Sequence, residues 1–357
     1  MHFPSVSLAR ALTGGAARRH EAQTLARACR ETGFFFLVDH GIPQQVWDGL
    51  FPASRRFFEL PGDAKAEVHY SRARVWPGDE GGFPVRGYLR PDEERLGPLP
   101  TNKPDAKEAW DMADELPAGG RLAPYHGPNL WPSALPGAAF REPVVAYHAA
   151  VKRAASDLRA LVCEALGWPP TALDALYAED THVMRLLHYP PRPAGVAEPA
   201  QPCAAHTDQG CFTLLKQDAA GGLQAKLAET GAWVDVPART DALAVNVGDT
   251  LCAWTNGAFR STVHRVVPAG DGAERFSCGF FYDPAAGTAL LRGSAASDAD
   301  LVNNGIVNLL HKAGLPQDQD GVRRLRNLTF AEYKHSVFTK FRPDARPNAR
   351  TACGAEA

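Results

Sequence analysis

Residues 241–284 read DALAVNVGDTLCAWTNGAFRSTVHRVVPAGDGAERFSCGFFYDP. Four apolar runs of strand length (242–249, 250–256, 261–268 and 275–284) are each closed by Gly, Pro, Asn or Asp. Short runs at this spacing point to antiparallel strands joined by tight turns. The same texture extends back through HVMRLLHYP (182–190), CFTLLKQD (211–218), GLQAKL (222–227) and WVDVP (233–237). We therefore expect a mainly β protein with flanking helices, built on a sandwich or jelly roll rather than a parallel α/β sheet.

Upstream the period changes. AARRHEAQTLARACRETG (16–33) carries a helical apolar stripe and stops at Gly33, and FFFLVDHG (34–41) reads as a buried strand closed by Gly41. Helical spacing resumes over 42–60, with Pro52 as an expected kink. Residues 61–135 are rich in Pro and Gly and poorly periodic, and suit a covering segment, with Trp110 and Arg86 as candidate lid residues. REPVVAYHAAVKRAASDLRALVCEALG (141–167) predicts a long helix ending at Gly167. A further helix is expected around LTFAEYKHSVFTKF (328–341), with a loop before it and a polar tail after it. The expected organisation is an N-terminal helical and irregular region (1–135), support helices (136–180), a β core (181–285) and a C-terminal loop, helix and tail (286–357), in one compact unit.

Composition narrows the partners. Of 357 residues, 45% are hydrophobic and 22% charged, which suits a soluble folded chain rather than a disordered one. A net charge of −2 gives no reason to expect nucleic acid or an anionic membrane. There is no apolar run long enough to span a bilayer, and the first fifteen residues lack the pattern of a secretory leader. Seven scattered cysteines without a C-x-x-C argue against both a disulfide framework and a cysteine zinc site. A cytoplasmic monomer acting on a small molecule is the expectation.

Chemistry enters at AAHTDQG (204–210). His206 and Asp208 are two apart, so on a strand they share a face. That pair alone fits a metal site, a proton relay or a wet surface. Adding His264, from STVHRVVP, makes two imidazoles and one carboxylate, the set that holds one face of an octahedral divalent metal and leaves positions open, as in non-haem Fe(II) oxygenases. Eleven residues later, Arg275 and Ser277 again share a strand face. A guanidinium inside an apolar barrel needs an anion, and Arg with Ser suits one carboxylate. An ion pair with an Asp or Glu on the barrel rim would also satisfy it.

These motifs, in the order H-T-D, H-R-V, R-x-S, resemble the iron- and 2-oxoglutarate-dependent oxygenases of the isopenicillin N synthase-like group. The likeness extends over ACRETGFFFLVDHGIP, RRFFELPGDAK, PDAKEAWDM, GPNLWP, MRLLHYPP, GGLQ, NVGD and WTNGAFRSTVHRV, all in family order. It implies a double-stranded β-helix core, with His206, Asp208 and His264 as iron ligands. It also implies Arg275 and Ser277 as the anchor for the distal carboxylate of 2-oxoglutarate, and Tyr189 as a further partner of that co-substrate. Fe(II), 2-oxoglutarate and O2 would be consumed in oxidising a C–H bond, by hydroxylation, desaturation or cyclisation, with release of succinate and CO2. Arg185, which should share the Tyr189 face, and Phe281 are candidate substrate residues, although each also fits a structural role. Asn246 and Asp249 read as turn-setting residues. Three rivals remain open: a 2-oxoglutarate-independent oxidase of the isopenicillin N synthase type, an ethylene-forming enzyme, and a non-catalytic jelly-roll binding protein.

Overall fold

A computed structural model describes residues 3–73, 85–91, 93–96, 104–116, 125–191, 202–268, 273–291, 297–303 and 306–341. The polar tail and Cys353 lie outside them. The chain opens with β1 (Ser5–Ser7), α1 (Leu8–Leu12), α2 (Gly15–Glu31), β2 (Phe34–Val38), α3 (Gln44–Phe58) and α4 (Gly62–Ala66). Next come β3 (Gly87–Leu89), β4 (Glu108–Met112) and the long helix α5 (Arg141–Ala165). The β core holds β5 (Val183–Tyr189), β6 (Cys203–His206), β7 (Phe212–Gln217), β8 (Leu223–Lys226), β9 (Trp233–Asp235) and β10 (Leu243–Val247). After α6 (Asp249–Trp254) it closes with β11 (His264–Val266) and β12 (Arg275–Tyr282). Helices α7 (Asp298–Asn303), α8 (Val307–Ala313), α9 (Gln319–Arg326) and α10 (Phe330–Phe341) finish the described chain.

Two sheets face each other. The major sheet has the order β1-β2-β10-β7-β12-β5-β4-β3 and the minor sheet β6-β11-β8-β9. All pairings are antiparallel except β1 with β2. This is the double-stranded β-helix expected from the sequence, open rather than a closed barrel. Strands from both the N-terminal region and the β core share the major sheet.

Alternation along the central strands divides their labour. In β12, Phe276, Cys278, Phe280 and Tyr282 pack into the large core under α2, α3 and α5, while Arg275, Ser277, Gly279 and Phe281 face the space between the sheets. In β5, Met184 and Leu186 join that core, and Arg185, Leu187 and Tyr189 face inward. Burying the apolar set on one face forces the polar set into the interior, because a one-residue slip would invert both faces.

Several expectations change here. TLCAWTN does not form a strand: residues 249–254 are helix α6, whose six side chains are all buried. An apolar run this short has no period that separates a buried helix from a strand. The Pro/Gly-rich segment 61–135 is not only covering, because EAWDM forms β4, a fully buried strand next to β5. Trp110 on β4 is 0% exposed and packs on Phe57, Trp131 and Phe140, and buried Arg86 donates to the Val85 and Tyr125 carbonyls. Neither is a lid residue. Pro52 lies inside α3, which runs on through it.

Gly33 shows how tightly α2 is joined to the sheet. It sits at φ +69, and a Cβ there would lie 2.2 Å from the Arg260 carbonyl oxygen. Only glycine supplies both the left-handed turn and the clearance.

Candidate active site

The three metal-type side chains meet at the mouth between the sheets. His206 ends β6 and His264 begins β11, and the two stand opposite each other in the antiparallel ladder. Asp208 lies two residues beyond His206, in the loop after β6. Its Oδ1 is 3.6 Å from Nε2 of each imidazole, and the ligand atoms of all three residues fall within 4.8 Å of one another.

Each ligand is fixed by what its other polar atom does. His206 Nδ1–H donates to the Ala204 carbonyl at 2.7 Å and His264 Nδ1–H to the Thr262 carbonyl at 3.0 Å. A carbonyl only accepts, so the Nδ1 atoms carry the protons and the Nε2 lone pairs point at the shared centre. Asp208 Oδ2 accepts from Thr213 Oγ1 at 2.6 Å and Asn246 Nδ2 at 2.7 Å, which leaves Oδ1 for the centre. Burial pushes the His264 pKa down to about 4 and that of His206 below its usual value. Burial pushes the Asp208 carboxyl up, but the two imidazoles and its two hydrogen bonds outweigh it and hold it below the usual range. At neutral pH the set is two neutral imidazoles and a carboxylate, the protonation states a divalent metal requires. The residues present therefore fit a ferrous ion.

Asn246 and Asp249 do more than shape a turn. Asn246 is on β10 and holds Asp208. Asp249, at the start of α6, accepts from Thr207 Oγ1 at 3.1 Å, from Ser261 Oγ at 2.6 Å and from Lys312 Nζ at 2.5 Å. Its backbone N–H donates to the Asp208 carbonyl at 2.8 Å. Between them, Gly248 lets the chain pass so close that a Cβ would lie 2.3 Å from the Gly210 oxygen. The NVGD stretch thus clamps the His206–Asp208 loop from beneath. A strand-interior Asn facing the barrel was the signal available in the sequence.

The interior beyond the triad encloses about 610 Å³, open mouth included, and reaches past Tyr189 to Arg275 and Ser277. Arg275 is 1% exposed. Its Nε donates to the Gly221 carbonyl at 2.7 Å, NH1 to Ser277 Oγ at 3.0 Å and NH2 to Gln217 Oε1 at 3.0 Å. The Tyr189 ring lies 4.7 Å from its guanidinium carbon. Among the described residues no carboxylate pairs with it, so a buried cation is surrounded by neutral acceptors. That asymmetry calls for an anion.

A second space of about 620 Å³ is lined by His206 and Asp208 of the triad and opens on the other side, between Val183, Phe281, Phe338 and Lys334. Phe281 lines both spaces. Arg185 also borders both, but its fork is already taken. Nε and NH2 donate to the two oxygens of Asp111 at 2.7 and 2.8 Å, and NH1 reaches both Glu94 oxygens at 2.9 and 3.1 Å. Lys107 continues the network to Glu94 and Asp105 at 3.1 and 2.5 Å. Of the two roles expected for Arg185, these contacts favour the structural one, because a substrate carboxylate would meet a guanidinium already engaged by two protein carboxylates.

Comparison with known proteins agrees with this geometry. Residues 180–284 match the family described as the 2OG-Fe(II) oxygenase superfamily, and residues 3–134 match the N-terminal region described for the non-haem dioxygenase in morphine synthesis. A 2-oxoglutarate-dependent dioxygenase of Didymella fabae is 36% identical over 266 residues, covering 72% of this chain and 77% of that protein. The chain belongs to the Fe(II)- and 2-oxoglutarate-dependent oxygenases. The 2-oxoglutarate-dependent dioxygenase citB of Monascus ruber is 37% identical over 75% of this oxygenase and 79% of its own length. Among solved structures, a full-length Neurospora crassa protein in complex with alpha-KG superposes with a TM-score of 0.70 at 26% identity, covering 84% of this chain and 91% of that one. The oxygenase is thus an iron- and 2-oxoglutarate-dependent member of the isopenicillin N synthase-like superfamily, and its ligands are small molecules. Its six described cysteines are all buried and unbridged. Among the described residues no helix is long and apolar enough to cross a membrane.

Proposed function

We propose that His206, Asp208 and His264 hold the ferrous ion, and that Arg275, Ser277 and Tyr189 bind the distal carboxylate of 2-oxoglutarate. In this reading a small organic substrate occupies the second space, with Phe281 and Phe338 against it, and has one C–H bond oxidised. The observation that carries the reading is the unpaired Arg275 guanidinium, buried in the same interior space as the triad. The metal centre, when loaded, supplies dioxygen activation coupled to decarboxylation of the co-substrate to succinate and CO2. The protein's own groups do the rest. The Nε2 atoms and Asp208 Oδ1 present three donors on one side and leave the other side to the two organic molecules. Arg275 gives the co-substrate one orientation through a fork-to-carboxylate contact. Phe281, common to both spaces, holds the substrate side apolar and excludes water from the reacting carbon.

Thymine accompanies alpha-KG in a second structure of the Neurospora crassa protein, of TM-score 0.69, and supports a small ring-sized occupant for the outer space. The test is anaerobic addition of Fe(II) and 2-oxoglutarate to the purified chain, followed by O2 and a panel of small organic substrates. A visible iron–co-substrate chelate band, and succinate formed in step with oxidised product, are expected. A band of equal strength in Arg275→Gln at limiting 2-oxoglutarate would reject the anchor assignment.

A further inference from the structure

A second set of two histidines and an aspartate lies on the opposite face of the major sheet from the triad. His148 comes from the first third of α5, His182 from the residue before β5, and Asp114 from two residues beyond β4. The two rings sit against Phe280, the β12 side chain that points away from the barrel interior. His182 is 1% and His148 6% exposed, whereas the Asp114 side chain is half exposed.

The donors converge. His148 Nε2 and His182 Nε2 are 2.7 Å apart, and Asp114 Oδ1 lies 4.0 and 3.8 Å from them. The three ligand atoms fall within 4.8 Å of one another, the same limit the triad meets. Two of the three also have their second polar atom tied outward, as in the triad. His182 Nδ1–H donates to Asp180, so its Nε2 carries the lone pair. Asp114 Oδ2 accepts from Lys152 Nζ at 2.5 Å, which turns Oδ1 toward the rings. Lys152 also reaches Asp180 Oδ2 at 3.0 Å, so one ammonium orients both carboxylates. With Lys152 charged and both rings neutral, the group carries one net negative charge. Burial is the first cause that lowers both histidine pKa values, that of His148 to about 3, so the rings are available as neutral donors.

We propose that Asp114, His148 and His182 form a second cation site, distinct from the iron centre, that takes a borderline divalent transition metal such as Zn(II) or Co(II). Two imidazoles and one carboxylate suit that class, with water completing the shell. Metal–nitrogen bonds of about 2.0–2.1 Å at a tetrahedral ion set two donor nitrogens about 3.3–3.4 Å apart, so the ring nitrogens must part by roughly 0.6–0.7 Å. His148 must then hold its proton on Nδ1 instead of sharing it with His182. The half-exposed Asp114 side gives the entry route. Bound there, the cation cross-links α5 to the end of β4 and the start of β5.

The test is Zn(II) binding to metal-free full-length chain, read by calorimetry and by metal content after dialysis. Wild type should take two equivalents. His206→Ala should keep one, and its Tm should rise on adding zinc. Asp114→Asn and His182→Gln should each lose the second equivalent, or weaken it at least tenfold, while retaining the Fe(II)/2-oxoglutarate band. Asp114 is half exposed, so its variant carries the test even where His182→Gln folds poorly. One equivalent in wild type, or two equivalents persisting in Asp114→Asn, would overturn the proposal and leave a ring-to-ring hydrogen bond as the whole content of the cluster.

Discussion

Arg275 stands directly across the β5–β12 ladder from Tyr189, and its guanidinium carbon lies 4.7 Å from the centre of that ring. The ring covers one face of the cation and leaves the edge of the fork toward Ser277 for an anion. Arg275→Gln should weaken 2-oxoglutarate by roughly 2–4 kcal/mol, about 30- to 1,000-fold, because a buried charge-assisted contact is lost. Tyr189→Phe should cost less than tenfold. Succinate formation against co-substrate concentration measures both; an unchanged KM in Arg275→Gln refutes the anchor.

His206 and Asp208 should be indispensable in a different sense. His206→Ala or Asp208→Ala should abolish turnover, while near-ultraviolet circular dichroism and cooperative unfolding persist. The sheets are held by the packing of β5, β7, β10 and β12 rather than by these ligands. Turnover above a few per cent in either variant would mean that the iron lies elsewhere.

Asn246 lines the interior space and positions Asp208 through a 2.7 Å hydrogen bond. Asn246→Ala should lower Fe(II) affinity by about 10- to 100-fold, the usual consequence of freeing a metal-bound carboxylate from its outer partner. At saturating iron, kcat should recover most of its value. A loss of kcat that excess iron does not rescue would show that Asn246 does something other than hold Asp208.

Arg185 separates a structural role from a substrate role. Its partners Asp111 and Glu94 are buried, and they raise its pKa against the opposing effect of burial. Arg185→Leu removes the guanidinium that bridges two buried carboxylates, of which Glu94 keeps Lys107 at 3.1 Å, and should destabilise the fold by about 3–5 kcal/mol. The urea midpoint should fall before any substrate is added. A variant of normal stability with a raised substrate KM would restore the anchoring role expected from sequence.

Strand texture and motif order made the β core and most of the site legible. RFS alternates on β12, whose apolar partners face the helices, so period placed Arg275 and Ser277 on one interior face, whereas Tyr189 came with the family likeness and Asp208 falls in the loop just beyond β6. What misled was context that a linear reading lacks. TLCAW is apolar on every side because α6 is buried all round, which erases the helical period. EAWDM looks like part of a covering segment because its neighbours are Pro and Gly, yet β5 supplies the ladder that makes it a strand. Arg185 has the right face for a substrate residue. Its neutralising partners are 74 and 91 residues away in the chain, beyond any spacing rule.

Lys216 gives a prediction about stability that is independent of the active site. It lies on the β7 face opposite the barrel interior, 4% exposed, with Nζ 4.4 Å from the Trp47 ring centre and 4.2 Å from that of Phe51. Nζ donates to the Trp47 carbonyl at 2.5 Å, and burial pushes its pKa down from 10.5 to about 8. Folding therefore favours the neutral amine. Below pH 8 both folded and unfolded chains hold the proton, and the full penalty, on the order of 3 kcal/mol, is present. Between pH 8 and 10.5 the unfolded chain holds a proton that the folded chain has released, so this group makes stability rise with pH. Lys216→Met removes the charge but leaves the Trp47 carbonyl without its donor, which returns about 1 kcal/mol. The variant should be about 1–2 kcal/mol more stable than wild type at pH 7, and the advantage should vanish by pH 10. Urea unfolding of both proteins at the two pH values measures the difference, in which the buried cysteines and tyrosines cancel. An advantage independent of pH would mean that Lys216 is not the titrating group.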